Sequence, residues 1–207
     1  MHAVQFSNLS RSDGSVLMSS GDVIVQACVY GPTEIKVSKE LCNKAAVEVS
    51  FKPKVGQSDS EERLMEHFIR NAVEPLILTS LHPRTSINII IQEIQDGGNL
   101  LACGVNSAYL ALLDAGISMT GSVAAVPIAV FKDKLIPFPT GKEVKAARGV
   151  TVICIGSPGQ NILGIKSGSF VSSEELQKCI SIARNSAENL FQFYRDSVSK
   201  QYKASVA

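Results

Sequence analysis

Residues 99 to 115, NLLACGVNSAYLALLDA, are spaced for a helix and are apolar nearly all round. A helix with no face to give to water must lie at the centre of its fold. The stretch before it, INIIIQEIQDGG (87–98), is rich in β-branched residues and predicts a strand over 86–94, then a turn at Gly97-Gly98. Gly116 is a natural stop after the helix. A glycine pair between a strand and a helix has two uses. It is a plain turn, or a cradle whose backbone N–H groups and positive helix end face an anion.

Two apolar runs in SVLMSSGDVIVQACVY (15–30) flank Ser-Ser-Gly-Asp and predict a hairpin. Val47 to Lys52 alternates apolar and polar residues, so the first quarter of the chain reads as an antiparallel sheet. Ser58 with Glu61 fits a capping box, followed by a helical stripe of Leu64, Met65, Phe68, Ile69, Ala72, Val73, Leu76 and Ile77. The second half opens with VAAVPIAVF (123–131), a Lys132-Asp133 turn and LIPF (135–138). After a basic connection come VTVICIG (150–156) and ILGIKSG (162–168). A last helix starts near Ser172, capped by Ser172 with Glu175. Its buried face is Leu176, Cys179, Ile180, Ala183, Ala187, Leu190 and Tyr194. The fold class is α+β: β-sheets packed with α-helices, one domain over 1–207 in two similar halves, about 11–120 and 121–198.

Hydrophobic residues at 45% and charged residues at 19% of 207 exclude general disorder and supply a core that folds without staples. The net charge of +1 gives no global pull toward nucleic acid, so any polyanion site must be a local patch. One such patch is KDKLIPFPTGKEVKAAR (132–148), with a local excess of three positive charges. It reads either as a solvated loop or as a contact for phosphate backbone. Cys28, Cys42, Cys103, Cys154 and Cys179 form no C-x-x-C pair and read as buried reduced thiols. His2, His67 and His82 are isolated, which leaves zinc and a Cys/His nucleophile without local support. No signal peptide and no apolar run of membrane-span length is present, so no membrane role is expected. Pro139 to Glu143 lacks the first glycine and the hydroxyl residue of a P-loop, and Gly164 to Gly168 misses the nucleophile elbow by one residue.

Taken in order, GSVLMSSGDVIVQACVYGP, ERLMEHFIRNAVEPLI, PRTSINIIIQEIQDGGNLLACGVNSAYLALLDAGI and the closing strands and helix resemble the RNase PH family over about residues 11–198. The resemblance implies an RNase PH-like fold. It also implies either a phosphorolytic 3′-to-5′ exoribonuclease or one of its ring-forming relatives in the RNA exosome. In active members of the family the glycine pair is followed by Thr-Arg, and that arginine helps hold the attacking phosphate. Here Asn99-Leu100 follows, so Gly97, Gly98 and Asn99 are the remnant of a phosphate site without its clamp. Active members also place two aspartates six residues apart to position a divalent metal. Glu143 and Gly149 stand at those positions.

The resemblance thus implies a non-catalytic structural and RNA-binding ring subunit with no cofactor. Its partners would be other RNase PH-like exosome subunits, or a second copy of itself as a homodimer when isolated, and it would work in nucleus, nucleolus and cytoplasm. The expected RNA contacts are Lys52, Lys54, Arg63, Arg70, Lys142, Lys145 and Arg148. The alternative is a nuclease of weak or altered, hydrolytic activity on RNA or DNA. It would use Glu143 with Lys142 or Lys145, and only this reading requires magnesium.

Overall fold

A computed structural model describes residues 2–131, 134–169 and 172–206. The sequence-predicted Lys132-Asp133 turn lies outside the described residues. The first sheet has five strands: β1 (His2–Phe6), β2 (Gly14–Ser20), β3 (Val23–Glu34), β4 (Ala46–Lys52) and β5 (Thr85–Gln95), in the order β1-β2-β3-β5-β4. The hairpin of β2 and β3 forms as its sequence predicts. The sheet is mixed, however, because β4 pairs in parallel with β5, from Ala46 opposite Ser86 to Lys52 opposite Gln92. Period-two alternation reports which face of a strand is buried and is blind to strand direction. The direction is set by the crossover that follows, which carries helix α1 (Ser60–Val73). The sequence reading also misses β1, an edge strand whose exposed positions hold the polar and small residues that obscured it.

The cap of α1 is Asp59 with Glu62, one residue beyond the predicted pair. Asp59 Oδ1 accepts from the Ser60 amide at 2.8 Å, and the Asp59 amide donates to Glu62 Oε2 at 2.7 Å. Ser58 has other work, donating its hydroxyl to the Phe51 carbonyl at 2.9 Å. Of the predicted stripe, Ile69, Ala72, Val73, Leu76 and Ile77 are buried, whereas Leu64 is 61% exposed and does not join it.

The second sheet, in the order β7-β6-β8-β9, comprises β6 (Ser122–Val130), β7 (Leu135–Pro137), β8 (Gly149–Ser157) and β9 (Asn161–Ser167). Within the basic connection the chain forms a short helix, α3 (Gly141–Ala146), where the sequence reading had a loop. Helix α4 (Ser173–Val206) is capped as predicted by Ser172 and Glu175, and it buries Cys179, Ala183, Ala187, Leu190 and Tyr194 against β6 and β8. Cys28, Cys103, Cys154 and Cys179 are buried thiols, but Cys42 is exposed.

Helix α2 (Leu100–Asp114) is buried without interruption from Leu101 to Leu112. It packs on β2 and β3, on α1 and on β6. Close approach depends on small residues: a Cβ on Gly14 of β2 would lie 2.3 Å from the Ala115 nitrogen. Its most consequential polar residue is Asn106. The side-chain amide donates to the Ala125 carbonyl at 3.0 Å and its oxygen accepts the Ala125 N–H at 2.7 Å. Strand β7 covers β6 only at Ile128–Val130, so Asn106 supplies the partner that the uncovered edge lacks at Ala125. Replacing Asn106 by leucine strands two buried backbone groups, each costing about 1–3 kcal/mol. An Asn106→Leu protein is expected to lose about 2–5 kcal/mol in urea unfolding; a loss under about 1 kcal/mol would contradict this role.

Candidate nucleic-acid interface

Gly97, Gly98 and Asn99 join β5 to α2. Gly98 has φ of +92°, a backbone that glycine alone adopts without strain. Its N–H already donates to Asp96 Oδ1 at 2.7 Å, so this amide is not offered to a ligand. Asn99 is buried and does not cap α2 with its side chain. Its Nδ2 donates instead to the Pro139 carbonyl, while Oδ1 has no hydrogen-bond partner among the described residues. That bond draws α3 onto the turn. A Cβ on Gly98 would meet Val144 at 2.8 Å, and one on Gly141 would meet the Gly97 carbonyl at 3.2 Å. The fold therefore brings together two segments that the sequence analysis singled out separately, 97–99 and 142–145. Leu100, at the position of the family's arginine, packs half-buried against the core.

Glu143 is the third residue of a capping box on α3. Its Oε2 accepts from the Thr140 amide at 2.7 Å and the Thr140 hydroxyl at 2.8 Å. The Thr140 amide, then its hydroxyl, hold the carboxyl below its ordinary value of 4.5. A general acid or base needs the opposite tuning, toward the working pH. Lys142 and Lys145 stand exposed beside it. At Gly149 the direction a side chain would take is filled: a Cβ there would lie 2.4 Å from Ser169 Oγ and 2.6 Å from Ser169 Cβ. A second carboxylate cannot enter unless Ser169 moves. Among the described residues no three His, Cys, Asp or Glu side chains gather as cation ligands. A divalent metal positioned by paired carboxylates does not fit these residues.

The other predicted contacts lie at the end of β4, the edge strand beside β5, and on α1. Lys52 ends β4, and Lys54 follows it with its amide 3.3 Å from Glu93 Oε2. Because β4 and β5 are parallel, both lysines sit at the same end of the sheet as the glycine turn. Arg63 and Arg70 lie two turns apart on α1 and line a cleft of about 400 Å³ against β4. Lys39, Glu48, Val49, Glu66 and His67 also line it. Lys39 is paired with Glu48 at 2.6 Å, and Glu66 Oε1 accepts the Phe51 amide at 2.7 Å. The lining holds three cations, Lys39, Arg63 and Arg70, against the two carboxylates, so the cleft carries a small positive excess. Arg70 Nη2 lies 3.2 Å from His67 Nδ1 and Asn71 Nδ2 lies 3.1 Å from His67 Nε2; both are donors, and a neutral imidazole accepts from one of them. The spacing Arg63, Glu66, His67, Arg70 shows that helix periodicity alone pointed to His67. Lys39 is delivered by tertiary packing and had no signal in the sequence.

Arg148 connects α3 to β8. It donates its backbone amide to the Val130 carbonyl at 3.0 Å and reaches to 3.9 Å from Glu175 Oε1 at the start of α4. The seven predicted cations thus form two groups, one at β4–α1 and one at α3–β8.

Two expectations follow from this geometry. Glu143 has a folded pKa below its unfolded value, so its cap stabilises fully above the unfolded value and is lost as pH falls through the lower, folded one. The melting-temperature gap between the protein and its Glu143→Ala variant should be widest above the ordinary carboxylate value of 4.5 and narrow as the pH falls below it in circular-dichroism melts; a gap that stays constant on acidification would sink the idea. Gly149→Asp, by overfilling the space held by Ser169, should destabilise by about 1–3 kcal/mol. Combined with Leu100→Arg and Glu143→Asp it should restore no phosphate-dependent nucleotide release from RNA, whereas recovered release would show that the space can open.

Comparison with known proteins agrees with this fold. Residues 2–118 match the model of the 3′ exoribonuclease family, domain 1, also called RNase PH. The chain is 29% identical to exosome complex component RRP46 of Saccharomyces cerevisiae over 196 residues, covering 88% of each chain. It is 31% identical to exosome complex component rrp46 of Schizosaccharomyces pombe over 205 residues, covering 95% of this chain and 89% of that one. The crystal structure of rice (Oryza sativa) Rrp46 superposes with a TM-score of 0.91 at 25% identity, covering 96% of this chain and 94% of the rice chain. With over half its length matched by the family model and a full-length relative above 30% identity, the chain belongs to the RNase PH family of 3′ exoribonucleases.

Proposed function

We propose that this chain is a non-catalytic structural and RNA-contacting subunit of the RNA exosome ring, supporting 3′-to-5′ RNA processing and degradation. Within the ring it takes the place of the small subunit known as exosome component five. The observation that carries the reading is an intact family fold whose reaction centre is closed by the chain's own side chains. Leu100 packs half-buried against the core, Glu143 is spent on a helix cap, and Ser169 occupies the space beside Gly149. Phosphoryl transfer rests on positioning and on neutralising developing charge, and each of these closures removes part of both. Its partners are other RNase PH-like subunits in the ring, and a second copy of itself when isolated. Buried, unpaired thiols suit the reducing nucleus, nucleolus and cytoplasm, where we place it.

RNA meets the α3–β8 cations and the β4–α1 cleft through phosphate contacts, which carry no sequence information and accept DNA as well. The nuclease alternative, hydrolytic and relying on Glu143 with Lys142 or Lys145, gains nothing from a carboxylate held by two donors on Thr140.

Light scattering after size-exclusion chromatography should show a stable complex with a second RNase PH-like ring subunit. If the two proteins elute separately at micromolar concentration, the subunit reading fails. Replacing Lys142, Lys145 and Arg148 together by alanine should lower the slope of log affinity for single-stranded RNA against log salt by about 2, at roughly 0.7 per phosphate contact. An unchanged slope returns these three residues to the role of a solvated surface.

A further inference from the structure

Helix α4 presents Phe191, Tyr194, Arg195, Val198 and Ser199 toward Tyr109 and Leu113 of α2 and Ser122 of β6, enclosing a pocket of about 280 Å³. The pocket shares no residue with the glycine turn, α3 or the β4–α1 cleft. Its walls are apolar at Leu113, Phe191 and Val198, and aromatic at Tyr109 and Tyr194, whose rings lie 5.5 Å apart. Both tyrosines are more than nine-tenths buried. The Tyr109 hydroxyl lies against Ser122 and feels the Arg195 charge. Among the described residues the Tyr194 hydroxyl has no hydrogen-bond partner; its neighbours are Tyr109 and the thiols of Cys103 and Cys154, which bond only weakly. Arg195, exposed at the rim, is the one charge among the described lining residues.

We infer that this pocket is a binding site for a small aromatic anion: one planar ring carrying a carboxylate or phosphate group. The ring lies among Tyr109, Phe191 and Val198, where offset and edge contacts between aromatic faces favour a flat guest. The anionic group meets the Arg195 guanidinium, whose planar fork pairs with carboxylate or phosphate through two parallel bonds. Ser122 and the Tyr109 hydroxyl beside it supply the few convergent polar groups that fix orientation in a mostly apolar pocket. The volume suits a single ring or a mononucleotide and is too small for a peptide helix. The inference does not depend on the exosome reading, because it uses none of the residues on which that reading stands.

The test is calorimetric titration of the whole chain with benzoate and with uridine 5′-monophosphate, beside the uncharged benzamide and uridine. Benzoate or uridine monophosphate should bind in the micromolar-to-millimolar range, with the neutral analogue at least about tenfold weaker. Whichever anion binds more tightly identifies the source of the ligand. Arg195→Ala should weaken the anion about tenfold or more, and Val198→Trp, which fills the pocket, should abolish binding. Unchanged melting temperatures would show that both variants fold, and Arg195→Ala, on an exposed side chain, serves if Val198→Trp does not. No heat with either anion up to 10-millimolar order, equal binding of the neutral analogues, or binding that survives Val198→Trp would each overturn the inference.

Discussion

The fold depends on one constraint: a helix that is apolar on every side has to be surrounded. Helix α2 meets the first sheet along β2 and β3, α1 on another side and β6 beyond. Apolar packing alone is indifferent to register, and the Asn106 amide removes that freedom by pairing with both backbone groups of Ala125. A buried polar group that is fully satisfied specifies one arrangement, because any slip leaves several groups without partners. The second sheet is thereby fixed relative to the first, and α3 and α4 inherit their positions from it.

The same rigidity explains how a family fold persists where the family's chemistry does not. The turn at Gly97 and Gly98 keeps its backbone conformation because Val144 and Asp22 crowd it, whether or not phosphate ever docks. The position that would carry a clamp holds Leu100, which now serves packing. Glu143 shows the change most clearly. A carboxylate in the right neighbourhood for metal or proton chemistry is instead drawn to the Thr140 amide and hydroxyl, and those bonds favour its charged form. Lys142 and Lys145 stand exposed beside these closed positions, although Asp22 and Asp96 are exposed at the glycine turn itself. The positive charge is therefore local, at α3 and at the β4–α1 cleft, and fits phosphate-backbone contact beside the closed centre rather than in it.

Much of this was legible in the sequence. Helices α2 and α4 follow from periodicity, and the Ser172 cap was read at the right residue because only one Ser-x-x-Glu stood before that stripe. At α1 the segment Ser-Asp-Ser-Glu-Glu (58–62) offers two overlapping capping boxes. The choice fell on Asp59 only through the tertiary contact that occupies Ser58. The parallel pairing of β4 was hidden because strand direction is a property of the connection. The short α3 was hidden among its charges, although Thr140 and Glu143 already stood at the spacing of a cap. Glu143 and Gly149 were identified as the altered positions, but their state was not readable. The sequence names the missing aspartate; only the packing of Ser169 shows that its space has been filled.

The central claim is that a closed reaction centre leaves an RNA-holding subunit. It is tested most directly by incubating the isolated, nuclease-free protein with single-stranded RNA and magnesium, with and without inorganic phosphate, and measuring nucleotide release alongside RNA retention. The account predicts bound RNA and no release under either condition, with the Glu143→Ala protein indistinguishable in this assay. Nucleoside diphosphates appearing only with phosphate, or monophosphates whose release Glu143→Ala abolishes, would contradict it.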